Sequence, residues 1–367
     1  MKRRTVINVT LVVLIAFFSF LLFTNSALAE TKTFIKEYTY QAGDEDSKNS
    51  SRTISLREVK RLLLEELGTY LESITEVQNF QLTKDQITTL TAGIVQTELI
   101  EEKWNTEDLK YWLKAKITAD SSEVIKAIDT LRKDRQKTKE LEEIRKRSDD
   151  LLKENERLRQ ELATAKGTKK KKGIAAYNKT IKDLNAAEWF EKGNAAEIAG
   201  NNNQAIKNFN KAIELSPQYS RAYCGRGVAY AKLGNFNQAT KDFDKAIELN
   251  PQYAMAYSDR GNAYGDLGNF KQAIKDHDKA IELDPQLAMA YSNRGNTYGM
   301  LGNYKQAIAD YDHAIKLNPQ DADFYYNRGV AYGRLGNTNG EIKNYKIAAL
   351  LGDEKAQAFL RKQGIDW

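Results

Sequence analysis

The feature that most restricts the fold of this chain is a 34-residue repeat in its C-terminal half. All the prolines of the chain keep this interval, at Pro217, Pro251, Pro285 and Pro319. Two series of glycines and one of alanines keep it too: Gly193, Gly227, Gly261, Gly295 and Gly329; Gly200, Gly234, Gly268, Gly302 and Gly336; and Ala212, Ala246, Ala280, Ala314 and Ala348. Such a period indicates an array of small units, each of which buries its apolar surface against its neighbours.

Each unit carries the residues of two short helices joined by a tight turn. Tyr223, Gly227 and Tyr230 share one face of a first helix, and the glycine between the rings lets a second helix approach closely. Gly234 stands where a helix ends in the left-handed backbone region. Small residues such as Ala239 allow the second helix to nest against the first, and the closing proline stops that second helix.

This order of aromatic residue, glycine, tyrosine, small residues and closing proline resembles the tetratricopeptide repeat (TPR), a helix–turn–helix unit. The resemblance implies five repeats, over residues 186–219, 220–253, 254–287, 288–321 and 322–353. The last repeat departs from the pattern at Glu341 and Asp353, and residues 354–367 are predicted to form a capping helix and tail. The expected fold is therefore mainly α, with a C-terminal α-solenoid.

The resemblance implies a non-catalytic protein-interaction scaffold, because the first helices of TPR arrays line a concave groove that takes a peptide or helix of another protein. The residues predicted to line this groove are Asn194, Ser258, Asn262, Ser292, Asn293, Asn296, Tyr326 and Asn327. Amide side chains can bond to the backbone of a partner. Each asparagine could equally be a tolerated surface residue, and this alternative stays open.

Four arginines form a second series at the same interval. They are Arg226, Arg260, Arg294 and Arg328, in a position where the TPR family usually has leucine. This ladder could be a basic stripe that binds an acidic partner. Alternatively, the arginine stems lie between neighbouring helices with their charged heads paired to Asp259 or Asp278. We favour the second interpretation.

The sequence offers few groups for catalysis or metal binding. One cysteine and two histidines are too few soft ligands for a structural zinc site. His277 replaces a phenylalanine or tyrosine of other repeats and is predicted to be a packing residue, whereas His313 is expected at the surface and Cys224 is expected to be inert. We therefore predict no enzyme activity, no catalytic residue, no metal and no cofactor.

Residues 1–29 have the layout of a secretory leader. Basic residues at positions 2–4 precede an apolar run from Val6 to Phe23, and small residues stand before a predicted cleavage site after Ala29. The chain is thus predicted to be exported to the periplasm, where a nucleic-acid partner is not expected. The apolar run could also span a bilayer, so an uncleaved inner-membrane anchor remains the alternative, and only then would the chain contact a membrane.

Residues 30–120 are predicted to form a small α+β domain. Residues with alternating or helical spacing indicate a strand over 31–40, a helix over 55–75 and strands near 93–104 and 109–119, the last two joined by a turn at 105–108. This order of elements resembles the N-terminal domain of the flagellar assembly T protein.

Residues 121–166 contain no glycine or proline and are predicted to form one long helix. A seven-residue seam runs through Leu141, Ile144, Ser148, Leu151, Asn155, Leu158, Leu162 and Ala165. The seam could pair two copies in a coiled coil, giving a homo-oligomer, or pack on the N-terminal domain of its own chain. Residues 167–185 are predicted to be a lysine-rich linker and lead-in helix, because Gly167 and Gly173 flank four lysines.

A leader, a coiled coil and a TPR array in this order also resemble the periplasmic cell-division coordinator that works with the Tol-Pal system. Together with the flagellar resemblance, this implies an alternative function. The protein would then be an assembly factor of an envelope machine, and it would dock through its N-terminal domain.

Overall fold

The computed structural model describes residues 31–75, 84–92, 94–95, 97–133 and 135–367. The predicted leader lies outside these residues. Within the described ranges the fold is mainly α, with one small antiparallel sheet near the N-terminus and a solenoid of helix pairs that follows it. No helix formed by these residues has both the length and the hydrophobicity that crossing a bilayer requires.

Three strands form the sheet, in the order β1-β3-β2. They are β1 (Thr31–Gln41), β2 (Glu98–Asn105) and β3 (Lys110–Asp120). The turn before β3 is held by Asn105, whose Oδ1 accepts hydrogen bonds from the backbone N–H groups of Glu107 and Asp108 at 2.8 and 3.2 Å. The predicted strand pair is therefore present, although β2 begins later than the sequence indicated.

The N-terminal domain has two helices: α1 (Lys48–Thr75), which packs against β1 and β3, and α2 (Lys84–Ala92), which packs against α1. Helix α1 begins seven residues before the predicted start at residue 55, because Ser47 and Ser50 cap it reciprocally through their hydroxyl groups. Helix α2 was not predicted. Its Ile87 is fully buried in the same core as the inward face of β3.

The next helices are α3 (Ser121–Lys133), α4 (Arg135–Thr164) and α5 (Gly167–Ile198). Helix α4 folds back on α5, so the linker part of the prediction for residues 167–185 is wrong, whereas the predicted lead-in helix is present as the first part of α5. Gly167 turns the chain with a φ of +57°, and a Cβ at Gly173 would lie 2.8 Å from a methyl carbon of Leu162. The lysine run therefore belongs to the first turns of α5, and Lys170 pairs with Glu45.

The predicted seam is buried within its own chain, as the second sequence alternative proposed. The seam residues that are buried are Leu141, Ile144, Ser148, Asn155, Leu158 and Leu162. They pack in the core that α4 shares with α5 and the N-terminal domain. The single helix predicted over 121–166 is instead two helices. Because the seam is already covered, a homo-oligomer through it would require the hairpin to open.

Helix pairs follow at regular intervals. They are α6 (Asn202–Leu215), which pairs with the end of α5, then α7 (Ser220–Lys232) with α8 (Phe236–Leu249), α9 (Ala254–Asp266) with α10 (Phe270–Leu283), α11 (Ala288–Met300) with α12 (Tyr304–Leu317), and α13 (Ala322–Arg334) with α14 (Thr338–Leu350). Between the paired helices the turn glycines, such as Gly234, have φ values of 74–76°. Helix α15 (Glu354–Lys362) covers the last pair through Ala356, Phe359 and Leu360.

The N-terminal domain, the α4–α5 hairpin and the first helix pair share one hydrophobic core. This core runs without a break from Phe34 in β1, through Leu67 and Leu184, to Phe209 in α6 and Ala229 in α7. The domain thus holds the start of the array in a fixed position.

Candidate functional site

The first helices of successive pairs, namely the end of α5 followed by α7, α9, α11 and α13, place their small and polar residues along a groove. Its volume is about 360 Å³ across the first four pairs. The lining residues include Asn194, Glu197, Cys224, Val228, Lys232, Met255, Ser258, Asp259, Asn262, Met289 and Asn293. Four predicted site residues are among them: Asn194, Ser258, Asn262 and Asn293.

These four residues differ in how freely they can bind a partner. Asn262 is exposed, whereas Asn194 and Ser258 are buried. The Asn293 amide donates to the Ser258 hydroxyl at 3.2 Å, so the two side chains link neighbouring first helices. Asn262 therefore offers the most accessible amide of the predicted set. The exposed thioether of Met289 lies in the same groove and adds an adaptable apolar contact.

The other predicted residues are less available. The Oδ1 of Asn296 accepts a hydrogen bond of 2.7 Å from the Tyr311 hydroxyl, and Ser292 is buried. Tyr326 stacks on Tyr345 with 5.3 Å between ring centroids, so it belongs to the C-terminal core. Asn327 is half-buried. The structure thus concentrates the accessible part of the site on the middle repeats.

The arginine ladder lies between second helices rather than free on a surface. Nε and Nη2 of Arg260 donate to Asp276 at 2.7 and 2.8 Å, and Nη1 donates to Asp244 of the preceding pair at 2.7 Å. Two other arginines repeat this geometry, Arg226 with Asp242 and Asn210 and Arg294 with Asp310 and Asp278. Arg328 donates one hydrogen bond from Nε to Asn344 and one from Nη1 to Asp312.

Each arginine thus links two neighbouring helix pairs, as the second interpretation of the ladder predicted. Burial alone would lower the pKa of Arg260, but its hydrogen bonds to Asp276 and Asp244 raise that pKa above the ordinary value. Asp278 is a partner, as predicted. The carboxylate of Asp259, the other predicted partner, accepts a weak 3.6 Å contact from the Cys224 thiol.

The sequence already contained the signal for the acceptors of the ladder. Aspartate or asparagine recurs every 34 residues in two columns, one of them Asn208, Asp242, Asp276, Asp310 and Asn344, the other Asn210, Asp244, Asp278 and Asp312. Each arginine stands 16 residues from one member of each column. A search for charged columns at equal offsets would have found the pairing.

His277 is a fully buried packing residue, as predicted, and its ring faces Gly261. Neither ring nitrogen has a hydrogen-bond partner among the described residues. Burial lowers the pKa of this imidazole to about 4, with a smaller effect from the nearby charge of Arg294. His313 is exposed, and its ring stacks on Tyr291. In the part of the chain that the structure describes, no group of His, Cys, Asp and Glu side chains could hold a metal ion.

We expect His277→Phe to stabilise the protein by about 1–3 kcal/mol near neutral pH, because an apolar ring removes two unpaired buried nitrogens. Phe243 already occupies the equivalent position against Gly227.

The unfolded chain protonates His277 near pH 6.5 and the folded chain only near pH 4, so the wild-type protein loses up to about 3 kcal/mol of stability as the pH falls between these values. Urea denaturation at pH 7 and pH 4 measures both effects. If the difference in unfolding free energy between the two proteins were the same at pH 7 and pH 4, the lowered pKa of His277 would be contradicted.

Family models decide what the array is. The model described as TPR repeat matches residues 193–234, 261–302 and 300–336, and two models described as tetratricopeptide repeat match residues 220–253 and 243–275. This part of the chain is a TPR array. The helix pairs within residues 193–336 are its repeats, and the groove lies on the face that their first helices form.

Several solved structures of TPR proteins are similar to this chain. MamA is 27% identical, with 45% of this chain and 96% of MamA covered and a TM-score of 0.38. A thermophilic TPR protein of Thermus thermophilus is 20% identical, with 49% and 97% covered and a TM-score of 0.45. YrrB, described as a TPR protein with an unusual peptide-binding site, is 22% identical, with 51% and 96% covered and a TM-score of 0.39. No curated protein matched the chain.

Proposed function

We propose that this protein is an exported, non-catalytic scaffold of the bacterial cell envelope, and that its TPR groove holds a peptide or helix of a partner protein. TPR repeats are protein-interaction modules, and this supports the scaffold. The leader pattern of residues 1–29 supports the export. In this proposal the protein binds its partner without any chemical step and without a cofactor.

One observation carries the proposal. The groove presents an exposed amide at Asn262 and an exposed thioether at Met289, while the charged arginine ladder is committed to contacts between repeats. Amides can satisfy the backbone of a bound segment, and methionine adapts to irregular apolar side chains. The groove therefore has the chemistry to hold a segment that is partly backbone and partly apolar.

The test replaces two exposed groove residues by Asn262→Arg and Met289→Arg, and compares partner recovery by crosslinking in intact cells. The matched control is Asn237→Arg with Leu350→Arg, which places the same charges on exposed positions of second helices. We expect recovery to fall about tenfold or more for the groove variant, because contacts at the centre of an interface carry most of the binding energy. Equal recovery from the two variants would contradict the proposal.

The N-terminal domain supports a second candidate, in which the protein is an assembly factor that docks through its sheet. Ile35 in β1 and Ile100 in β2 are both exposed, and β1 and β2 are the outer strands of the sheet. Outer strands with exposed apolar residues can pair with another chain. In the same crosslinking experiment, Ile35→Lys with Ile100→Lys would then lower partner recovery, whereas the groove variant would leave it unchanged.

A further inference from the structure

The concave face of the array continues beyond the groove described above. Two columns of residues at 34-residue intervals line that groove on α7, α9 and α11. They are Gly225, Asp259 and Asn293 in one column, and Val228 and Asn262 in the other. The equivalent residues on α5 are Glu191 and Asn194. Both line a second cavity, and Asn194 also lines the groove. The second cavity, here called the terminal pocket, is therefore built on the same face of the first helices as the groove.

The terminal pocket lies between α5 and the helices that precede the array. Helices α1, α2 and α4 form its other walls, and its apolar lining consists of Leu64, Ala92, Leu141, Ile144 and Leu152. Its volume is about 100 Å³, which is several times what one water molecule needs but too small for a helix about 10 Å across. The pocket therefore has room for about one side chain.

The charged groups that line the pocket beside α5 are already paired. The carboxylate of Glu191 accepts a hydrogen bond of 2.8 Å from Arg57 and also pairs with Lys60. Arg61 Nη1 lies 2.6 Å from the Glu65 carboxylate. A ligand that brought a charge into the pocket would have to displace one of these pairs, whereas an apolar group leaves them intact. The lining thus favours an aliphatic group over a charged one.

Asn194 lies where the groove and the terminal pocket meet. Only 6% of this residue is exposed, and its side-chain amide makes no hydrogen bond to any residue that the structure describes. A buried amide without a partner is costly, and the backbone of a bound segment can supply both the donor and the acceptor that it lacks. Asn262, the equivalent residue on α9, is the exposed amide of the groove. The two amides therefore mark one path along the concave face.

We propose that the terminal pocket is an anchor site, and that it takes one aliphatic side chain, of about the size of leucine, from the partner segment that the groove holds. The backbone of this segment bonds to Asn194 as it passes from the groove to the pocket. This proposal rests on the proposed function of the groove, and it gives the bound segment a defined end. The N-terminal domain then has a direct part in binding, because its helices complete the pocket.

NMR spectroscopy of the methyl groups in the full chain tests the pocket with a small probe. The probe is N-acetyl-leucinamide, which carries an aliphatic side chain between two amide groups. We expect it to shift the methyl signals of Leu141 and Ile144. At the same concentration, N-acetyl-glycinamide, which has the amides but no side chain, should not shift them. Equal shifts with the two compounds, or none with either, would overturn the proposed anchor site.

Two variants test which residues hold the probe. We expect Asn194→Ala to weaken binding of N-acetyl-leucinamide about fivefold, because a hydrogen bond to the backbone of the probe is lost. Leu152→Phe should abolish binding, because the larger ring occupies the pocket. The matched control Leu151→Phe makes the same change one residue away, on a different surface of α4, and should bind like the wild-type protein. Undiminished binding by Leu152→Phe would place the probe elsewhere and contradict the proposal.

Partner recovery by crosslinking in intact cells connects the pocket with the groove. Leu152→Phe should lower recovery about tenfold relative to Leu151→Phe, because buried anchor residues carry much of the binding energy of an interface. If Asn262→Arg with Met289→Arg lowers recovery but Leu152→Phe does not, the proposed function stands and the anchor site fails. If the probe binds as expected but the groove variant still recovers its partner, the pocket is a binding site and the groove proposal fails.

Discussion

Replacing Arg57 by alanine is expected to destabilise the protein by about 3–5 kcal/mol, because it removes one of the two cations that pair with the Glu191 carboxylate and leaves the Leu184 carbonyl without its donor. Nη1 of Arg57 donates to the Ser148 hydroxyl and to a carboxylate oxygen of Glu191, each at 2.8 Å, and Nη2 donates to the carbonyl oxygen of Leu184 at 2.7 Å. One side chain thus joins α1 of the N-terminal domain to α4 and α5.

The electrostatics of Glu191 show how strongly this site depends on its cations. Burial alone would raise the pKa of this carboxyl, but the charges of Arg57 and Lys60 outweigh burial and lower the pKa to about 2. In Arg57→Ala, Lys60 alone faces the carboxylate, and the Ser148 and Leu184 oxygens lose their donor. The interface of α1 with α4 and α5, which connects the N-terminal domain to the array, should therefore weaken.

Urea denaturation of wild-type and Arg57→Ala proteins measures this effect. The matched control is Arg52→Ala, on the same helix, which removes a half-exposed ion pair with Glu102 and should cost about 1 kcal/mol or less. If the two variants lost the same stability, Arg57 would not stabilise the contact of α1 with α4 and α5.

Replacing Phe209 by alanine is expected to cost about 3–5 kcal/mol, as for a large aromatic side chain removed from a well-packed core. Phe209 is fully buried, and its ring centroid lies 5.6 Å from that of Phe190. A Cβ built on Gly193 or on Gly225 would lie 2.4 or 2.7 Å from this ring, so the ring fills the space that two first helices leave open. The cavity would therefore separate repeat 1 from repeat 2.

The unfolding midpoint in urea tests this expectation, with Phe236→Ala as the control. Phe236 is only half-buried at the start of α8, so its loss should cost clearly less. If Phe209→Ala lost no more stability than Phe236→Ala, contacts other than those of Phe209 would hold the first two repeats together.

The repeat half of the fold could be predicted from the sequence because the same environment occurs several times. A glycine that recurs every 34 residues, such as Gly234, identifies a left-handed turn more firmly than a single glycine does. The N-terminal half lacks this redundancy. Helix α2 is short, and it is positioned by tertiary contacts of residues such as Ile87 that no local pattern announces.

Two features in the middle of the chain could not be decided from local sequence patterns. A periodic seam shows that one face of a helix is buried but not what covers it, so Leu158 and Leu162 fit a dimer as well as the hairpin that is formed. Four adjacent lysines looked like a solvated linker. Lysine is nevertheless a good helix former, and the close approach of Leu162 to Gly173 fixes this segment as the start of α5.

Four of the eight predicted groove residues line the cavity between the first helices, but the exposure of the predicted set depends on contacts that the sequence did not make obvious. Asn296 looked free, yet the hydroxyl that distinguishes Tyr311 from the phenylalanines of earlier repeats bonds to it. Tyr326 was predicted to line the groove, but it packs in the C-terminal core together with residues of the capping helix α15. The side chain of Asn262, by contrast, is exposed, so its amide is accessible to a partner.

The most direct measurement of the central claim is site-specific photocrosslinking in living cells. The photoreactive residue is placed in the groove by Asn262→p-benzoylphenylalanine and, as control, on the outer face by Asn237→p-benzoylphenylalanine. If the groove binds a partner, position 262 should give one discrete crosslinked protein, joined through a single peptide segment, and position 237 should not. The account would be contradicted if both positions gave the same products, or if position 262 gave none while a position in the N-terminal sheet did.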